Sequence, residues 1–93
     1  MERDNYIYLA TTKGCHACAI MTNIVIQTCC CEPYVASVRI RDIKKIPAWI
    51  KENVPFNDFP TLVFIQDDVI KYHCTGTITA NKLKQIIKDL DFK

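Results

Sequence analysis

The feature that most constrains this chain is a change of hydrophobic period near its start. Tyr6–Ala10 (YIYLA) is a short run rich in β-formers, which predicts a buried strand. A few residues later Ala17, Met21, Ile24, Val25 and Thr28 recur at spacings of three and four. That pattern predicts a helix from Cys15 to about Thr28, with nothing to break it before Pro33. Tyr34–Ile40 follows as a second strand, with Val35, Val38 and Ile40 as its apolar members. A strand, a helix and a strand in this order should join as a right-handed crossover, with the two strands parallel. At 93 residues the chain has room for one domain, 1–93, because two would each fall below the usual lower bound of about 50 residues.

The second half reads differently. Asp42 is placed to cap a helix over Ile43–Asn53, and Pro47 should delay or kink it. Val54–Phe59 reads as a loop and Thr61–Gln66 (TLVFIQ) as a third strand. Asp67-Asp68 makes a tight turn, so Val69–Cys74 should return as a fourth strand antiparallel to the third. Gly76 breaks the chain. Thr79 then caps a last helix whose Leu83, Ile86, Ile87 and Leu90 form one apolar stripe. The expected fold is α/β, ordered β-α-β-α-β-β-α: a four-stranded mixed sheet with helices on both faces.

Composition removes several function classes. A hydrophobic fraction of 49% with 24% charged residues excludes disorder as the main state. No apolar run approaches the roughly 18 residues of a membrane span, so no membrane partner is expected. A net charge of +2 with interspersed signs gives no reason to expect a nucleic-acid partner. Met1–Asn5 is polar and carries no apolar signal core, which points to a cytoplasmic, reducing compartment. The chain is expected to act there as a monomer. Under those conditions six cysteines mean chemistry, metal or plain packing.

Cys15-His16-Ala17-Cys18 stands between the first strand and the first helix. A cysteine at a helix N-terminus directs its sulfur at unpaired backbone N–H groups and the positive end of the helix dipole. Those groups stabilise the thiolate, which is the nucleophile. Two intervening residues let the second sulfur fold back and close a small disulfide. Gly14 provides the sharp turn, and Lys13 and His16 add positive charge that should tune the Cys15 thiolate. Such a pair suits reversible dithiol–disulfide exchange, with Cys15 attacking a target disulfide and Cys18 resolving the mixed intermediate. A chance pair or half of a zinc site are the other readings of the same spacing. Pro60, before the third strand, is either a plain strand-edge proline or a cis-proline that leaves the backbone of the preceding residue free to pair with an extended peptide.

Taken in order, these features resemble the thioredoxin superfamily over nearly the whole chain, from Tyr6 to Leu90. Cys15-His16-Ala17-Cys18 is similar to the redox motif, and Phe59-Pro60-Thr61 to the cis-proline motif. Thr75-Gly76-Thr77 resembles the glycine segment that follows the fourth strand in thioredoxins. The resemblance implies a thiol–disulfide oxidoreductase able to serve as electron donor to another enzyme, with Cys15 as nucleophile, Cys18 as resolving thiol and a cis Phe59–Pro60 bond. Substrate binding would fall to Phe59, Pro60, Thr61, Thr75 and Gly76. It further implies disulfide-containing protein substrates and no cofactor beyond the redox-active Cys15–Cys18 pair. Three departures stand out. Gly14 replaces the tryptophan of the thioredoxin motif, and His-Ala replaces its Gly-Pro. Leu9 occupies the place of the buried acid on the first strand. Thr75-Gly76-Thr77-Ile78 lacks the second glycine and the acid with which glutaredoxins hold glutathione. The electron source therefore stays open between a reductase and glutathione. A non-catalytic thioredoxin-fold interaction module is the rival reading.

Cys29, Cys30 and Cys31 close the first helix as small apolar residues. Zinc held by Cys15, Cys18 and two of this trio has the right ligand count. A helix from Cys15 to Cys29 opposes it, because its ends lie about 20 Å apart at 1.5 Å per residue. No metal site is expected. Cys74 should be buried on one strand face with Ile70 and Tyr72, leaving His73 outward. Trp49 should be half-buried packing on the second helix.

Overall fold

The computed structural model describes residues 5–30 and 37–90, and of Cys30 the backbone alone. It contains strands β1 (Asn5–Thr11), β2 (Ser37–Asp42), β3 (Thr61–Gln66) and β4 (Val69–Thr75). The helices are α1 (His16–Val25), α2 (Ala48–Asn53) and α3 (Ala80–Asp89). The sheet order is β2-β1-β3-β4. β1 and β2 are parallel, whereas β3 is antiparallel to both β1 and β4. This is the expected mixed α/β sheet.

Strands covered on both faces need apolar residues at every position, which is why YIYLA and TLVFIQ run without alternation. Ile7, Leu9, Leu62 and Phe64 pack on one face against Met21 and Val25 of α1, Cys29, and Leu83, Ile86 and Ile87 of α3. Tyr6, Tyr8, Ala10, Val63 and Ile65 pack on the other against Ile46, Ile50 and Val54 from around α2. Period two sorts each strand cleanly between the layers. Arg39 of β2 lies 3.9 Å above the ring of Tyr6 and seals that edge.

Several boundaries differ from expectation. Strand β2 runs to Asp42 rather than ending at Ile40, because Arg41 and Asp42 continue the parallel ladder opposite Ala10 and Thr11. Tyr34, Val35 and Ala36 lie outside the described residues. The single helix expected over Ile43–Asn53 is two pieces. Asp42 does cap, accepting at 2.9 Å from the N–H of Lys44, but what it caps is a short 3-10 turn, Ile43–Lys45. Pro47 has no N–H to continue that turn, so α2 starts after it, with the Pro47 carbonyl accepting from Ile50 and Lys51. Cys15 sits outside α1 as its N-cap, and a π-helical turn (Ile26–Cys30) prolongs α1 beyond Thr28.

Strand β4 also holds a correction. Ile70 pairs with Ile65 but Tyr72 with Phe64, which leaves Lys71 as the extra residue of a bulge. The bulge flips the faces, so Ile70 packs on the α2 layer while Cys74 packs against the α1–α3 layer. They do not share a face. The Asp67-Asp68 turn forms with φ of 52° and 64°, a left-handed pair that aspartate tolerates better than most residues. Trp49 is 37% exposed.

Candidate active site

The parallel ladder ends at Thr11, and the chain leaves the sheet through Thr12–Gly14. Gly14 takes φ +76°, a conformation costly for any residue with a Cβ, and the sharp turn sets Cys15 at the head of α1. Cys15 Sγ accepts a hydrogen bond from the backbone N–H of Cys18 at 3.1 Å. The sulfur thus fills the acceptor role that serine or aspartate usually has at an N-cap. Cys15 and Cys18 are joined by a disulfide across Cα atoms 5.2 Å apart. Their exposures differ: Cys15 is half-buried at the turn, whereas Cys18, one turn in, is 4% exposed. Thr22 Oγ1 donates to the Cys18 carbonyl at 2.7 Å and ties the next turn to it. Lys13 and His16 are both exposed beside the pair.

The second half of the site comes from β3 and β4. Ala10 pairs with Thr61 and Thr61 with Thr75, so the start of β3 and the end of β4 reach the same end of the sheet as the Cys15 turn. The Phe59–Pro60 bond is cis, and Pro60 is buried. Gly76, at φ +84°, donates its N–H to the Pro60 carbonyl at 2.8 Å. Phe59, Pro60, Thr61, Thr75 and Gly76 are therefore brought together as one backbone cluster. Two supports were not anticipated from sequence. Thr61 Oγ1 donates to the Asp58 carbonyl at 2.7 Å, and Phe56 stacks on Phe59 with centroids 6.4 Å apart. Their only sequence signal is a pair of phenylalanines bracketing Asn57-Asp58.

Leu9 is fully buried among Ile7, Met21 and Leu62, so the place of the thioredoxin acid is apolar here. Cys29 is fully buried in that same cluster, well away from the Cys15 turn by chain geometry, and is a packing residue. Cys31 lies outside the described residues. Among the described residues no group of three or more His, Cys, Asp or Glu side chains is placed to hold a metal ion. Cys74 is half-buried, and that burial pushes its thiol pKa up while the charge of Lys82 pulls the other way. No helix of the described residues is long and apolar enough to cross a membrane.

No protein-family model matches the chain, and no curated sequence matches it either. Solved structures do. Thioredoxin-2 of a malaria parasite, a component of its protein secretion machinery, superposes with a TM-score of 0.77 at 15% identity, over 96% of this chain and 85% of its own. Desulfothioredoxin from Desulfovibrio vulgaris gives 0.77 at 21% identity, over 92% and 81%. Thioredoxin O2 from Arabidopsis thaliana gives 0.68 at 22%, over 96% and 76%. The chain has the thioredoxin fold, with a disulfide-bonded Cys15–Cys18 pair at the head of its first helix.

Proposed function

We propose that this protein is a thiol–disulfide oxidoreductase that reduces disulfides in other proteins. The observation that supports it most is the unequal placement of the two sulfurs on the thioredoxin fold. Cys15 caps the helix at the surface, and Cys18 is bonded to it from a buried position. In the reduced protein the Cys15 thiolate is stabilised by the Cys18 N–H and the helix dipole, with the Lys13 ammonium adding positive charge. It attacks one sulfur of the target, forming a mixed disulfide and releasing a target thiolate, which takes up a proton. Cys18 loses its proton and attacks Cys15 Sγ. The Cys15–Cys18 bond forms, the mixed disulfide breaks and the second target thiol leaves. Two electrons have passed to the target, and a reductase or glutathione must return them. Phe59, Pro60 and Thr61, with Thr75 and Gly76, offer the backbone against which an extended segment of the target aligns.

Reduction of insulin disulfides in the presence of dithiothreitol tests the reading. Wild type is expected to accelerate precipitation of the freed chains, and Cys15→Ser to abolish the acceleration. Equal rates with and without wild-type protein would leave the fold as a binding module.

A further inference from the structure

The topology gathers positive charge on one flank of the Cys15 turn. β1 and β2 are parallel and end together, Thr11 opposite Asp42, so the segments leaving them emerge side by side. Thr11 Oγ1 donates to the Arg41 carbonyl at 3.3 Å and pins the two exits to each other. One exit carries Lys13 and leads to Cys15. The other carries Arg41, Lys44 and Lys45. All four side chains are exposed, as is His16 in the Cys15 turn. The one acid at these exits is Asp42, which accepts from the Lys44 N–H and keeps its charge, so four cations against one carboxylate leave a net +3. No ion pair neutralises the four cations among the described residues.

The excess is local, since the whole chain carries only +2. Asp67 and Asp68 lie in the β3–β4 turn, at the far end of a strand about 20 Å long. Asp89 lies there too, because Gln66 Nε2 bonds the Leu90 carbonyl and so fixes the end of α3 beside the end of β3. The other flank of the site, Phe59–Thr61 with Thr75–Thr77, is uncharged apart from Asp58. Among the described residues, Lys13, Arg41, Lys44 and Lys45 gather at the disulfide end of the sheet, and Asp67, Asp68 and Asp89 at the other.

We infer that the Lys13–Arg41–Lys44–Lys45 rim selects target disulfides that adjoin an acidic peptide segment. The inference rests on the oxidoreductase reading above and names its substrate class. Short 3-10 geometry holds Lys44 and Lys45 on consecutive residues, with Ile43 and Ile46 packed into the α2 layer beneath them. The backbone that carries Lys44 and Lys45 is therefore anchored to the core. A segment lying across the cis-proline backbone and extending past Cys15 toward β2 meets these cations in sequence. Charges arranged this way raise encounter rates and exclude like-charged partners more than they raise affinity.

The test uses the full-length reduced protein and three probes. Two are synthetic peptides with one internal disulfide, flanked by glutamates or by lysines, and the third is the small uncharged 2-hydroxyethyl disulfide. At low salt kcat/KM for the acidic peptide is expected to exceed that for the basic one by roughly tenfold. Raising salt from about 0.02 M to about 0.5 M shortens the screening length from about 20 Å to about 4 Å and should bring the ratio close to one. Lys44→Gln/Lys45→Gln should lower the low-salt ratio several-fold, while Lys88→Gln, at the far end, should leave it unchanged. Turnover of all three probes with a ratio near one at low salt, or a ratio untouched by salt or by the Lys44/Lys45 variant, overturns the rim proposal alone. Turnover of none of them removes the oxidoreductase reading and the rim with it.

Discussion

Reducing the Cys15–Cys18 bond should lower the stability of the protein, by an amount the structure bounds. The bridge closes a loop of four residues, Cys15 to Cys18. Chain-entropy arithmetic for so short a loop gives about 2 kcal/mol of stabilisation through the unfolded state. Part is returned on reduction, because a Cys15 thiolate at the head of α1 gains about 0.3–1 kcal/mol from the helix terminus. The net loss is about 1–1.5 kcal/mol. For a domain of this length that corresponds to a fall in Tm of roughly 4–12 °C. Thermal unfolding followed by far-ultraviolet circular dichroism, with and without a phosphine reductant, measures it. A Cys15→Ala/Cys18→Ala variant should be insensitive to the reductant, which isolates this bond from the other cysteines. Equal midpoints, or a higher midpoint for the reduced form, would refute the bookkeeping and the placement of the bridge.

Other consequences follow from single residues. In a variant that keeps Cys15 as its one cysteine, the ultraviolet absorbance of the thiolate should titrate below the ordinary thiol value of about 8.5, because the helix terminus and Lys13 favour the anion; a midpoint at or above that value would return Cys15 to a structural role. Alkylation of the oxidised native protein, mapped by peptide mass spectrometry, should mark Cys74 slowly and Cys29 only on unfolding, since Cys29 is fully buried and Cys74 half-buried. Burial raises the Cys74 pKa in the folded state, so the unfolded chain loses that proton first. Stability should therefore decline as pH rises past the ordinary thiol value, and less steeply in Cys74→Ala, as urea unfolding across pH 8–10 would show. Thr79 Oγ1 accepts from the Lys82 N–H at 3.1 Å as the N-cap of α3, so Thr79→Ala should cost about 1 kcal/mol in the same assay.

Much of the fold was legible because burial on two faces writes itself into strands as unbroken apolar runs, and on one face into α3 as a stripe. The site was legible for a similar reason: Cys15, Gly14 and Pro60 are local devices whose roles depend on their immediate neighbours. What was not legible depends on pairing between distant segments. Arg41 and Asp42 belong to β2 only because β1 continues opposite them, and nothing in their own chemistry marks a strand. The bulge at Lys71 is set by the Phe64–Ile65 register, so simple alternation put Ile70 and Cys74 on one face when the sheet separates them. Pro47 reads as a breaker from its chemistry alone, yet the 3-10 turn it leaves behind depends on Asp42 finding the Lys44 N–H. The charged flank is invisible for the same reason, since the segments that carry Lys13 and Lys44 leave the sheet side by side only through the parallel ladder.

The most direct measurement of the proposed chemistry is covalent trapping. Cys18→Ser removes the sulfur proposed to release substrate while leaving Cys15 at the head of α1. Incubated reduced with a disulfide-containing protein, this variant should accumulate a mixed disulfide through Cys15, visible by mass spectrometry and cleaved by reductant, whereas Cys15→Ser should accumulate none. Trapping by Cys15→Ser alone would reverse the roles of the two sulfurs, and trapping by neither variant would contradict the oxidoreductase assignment.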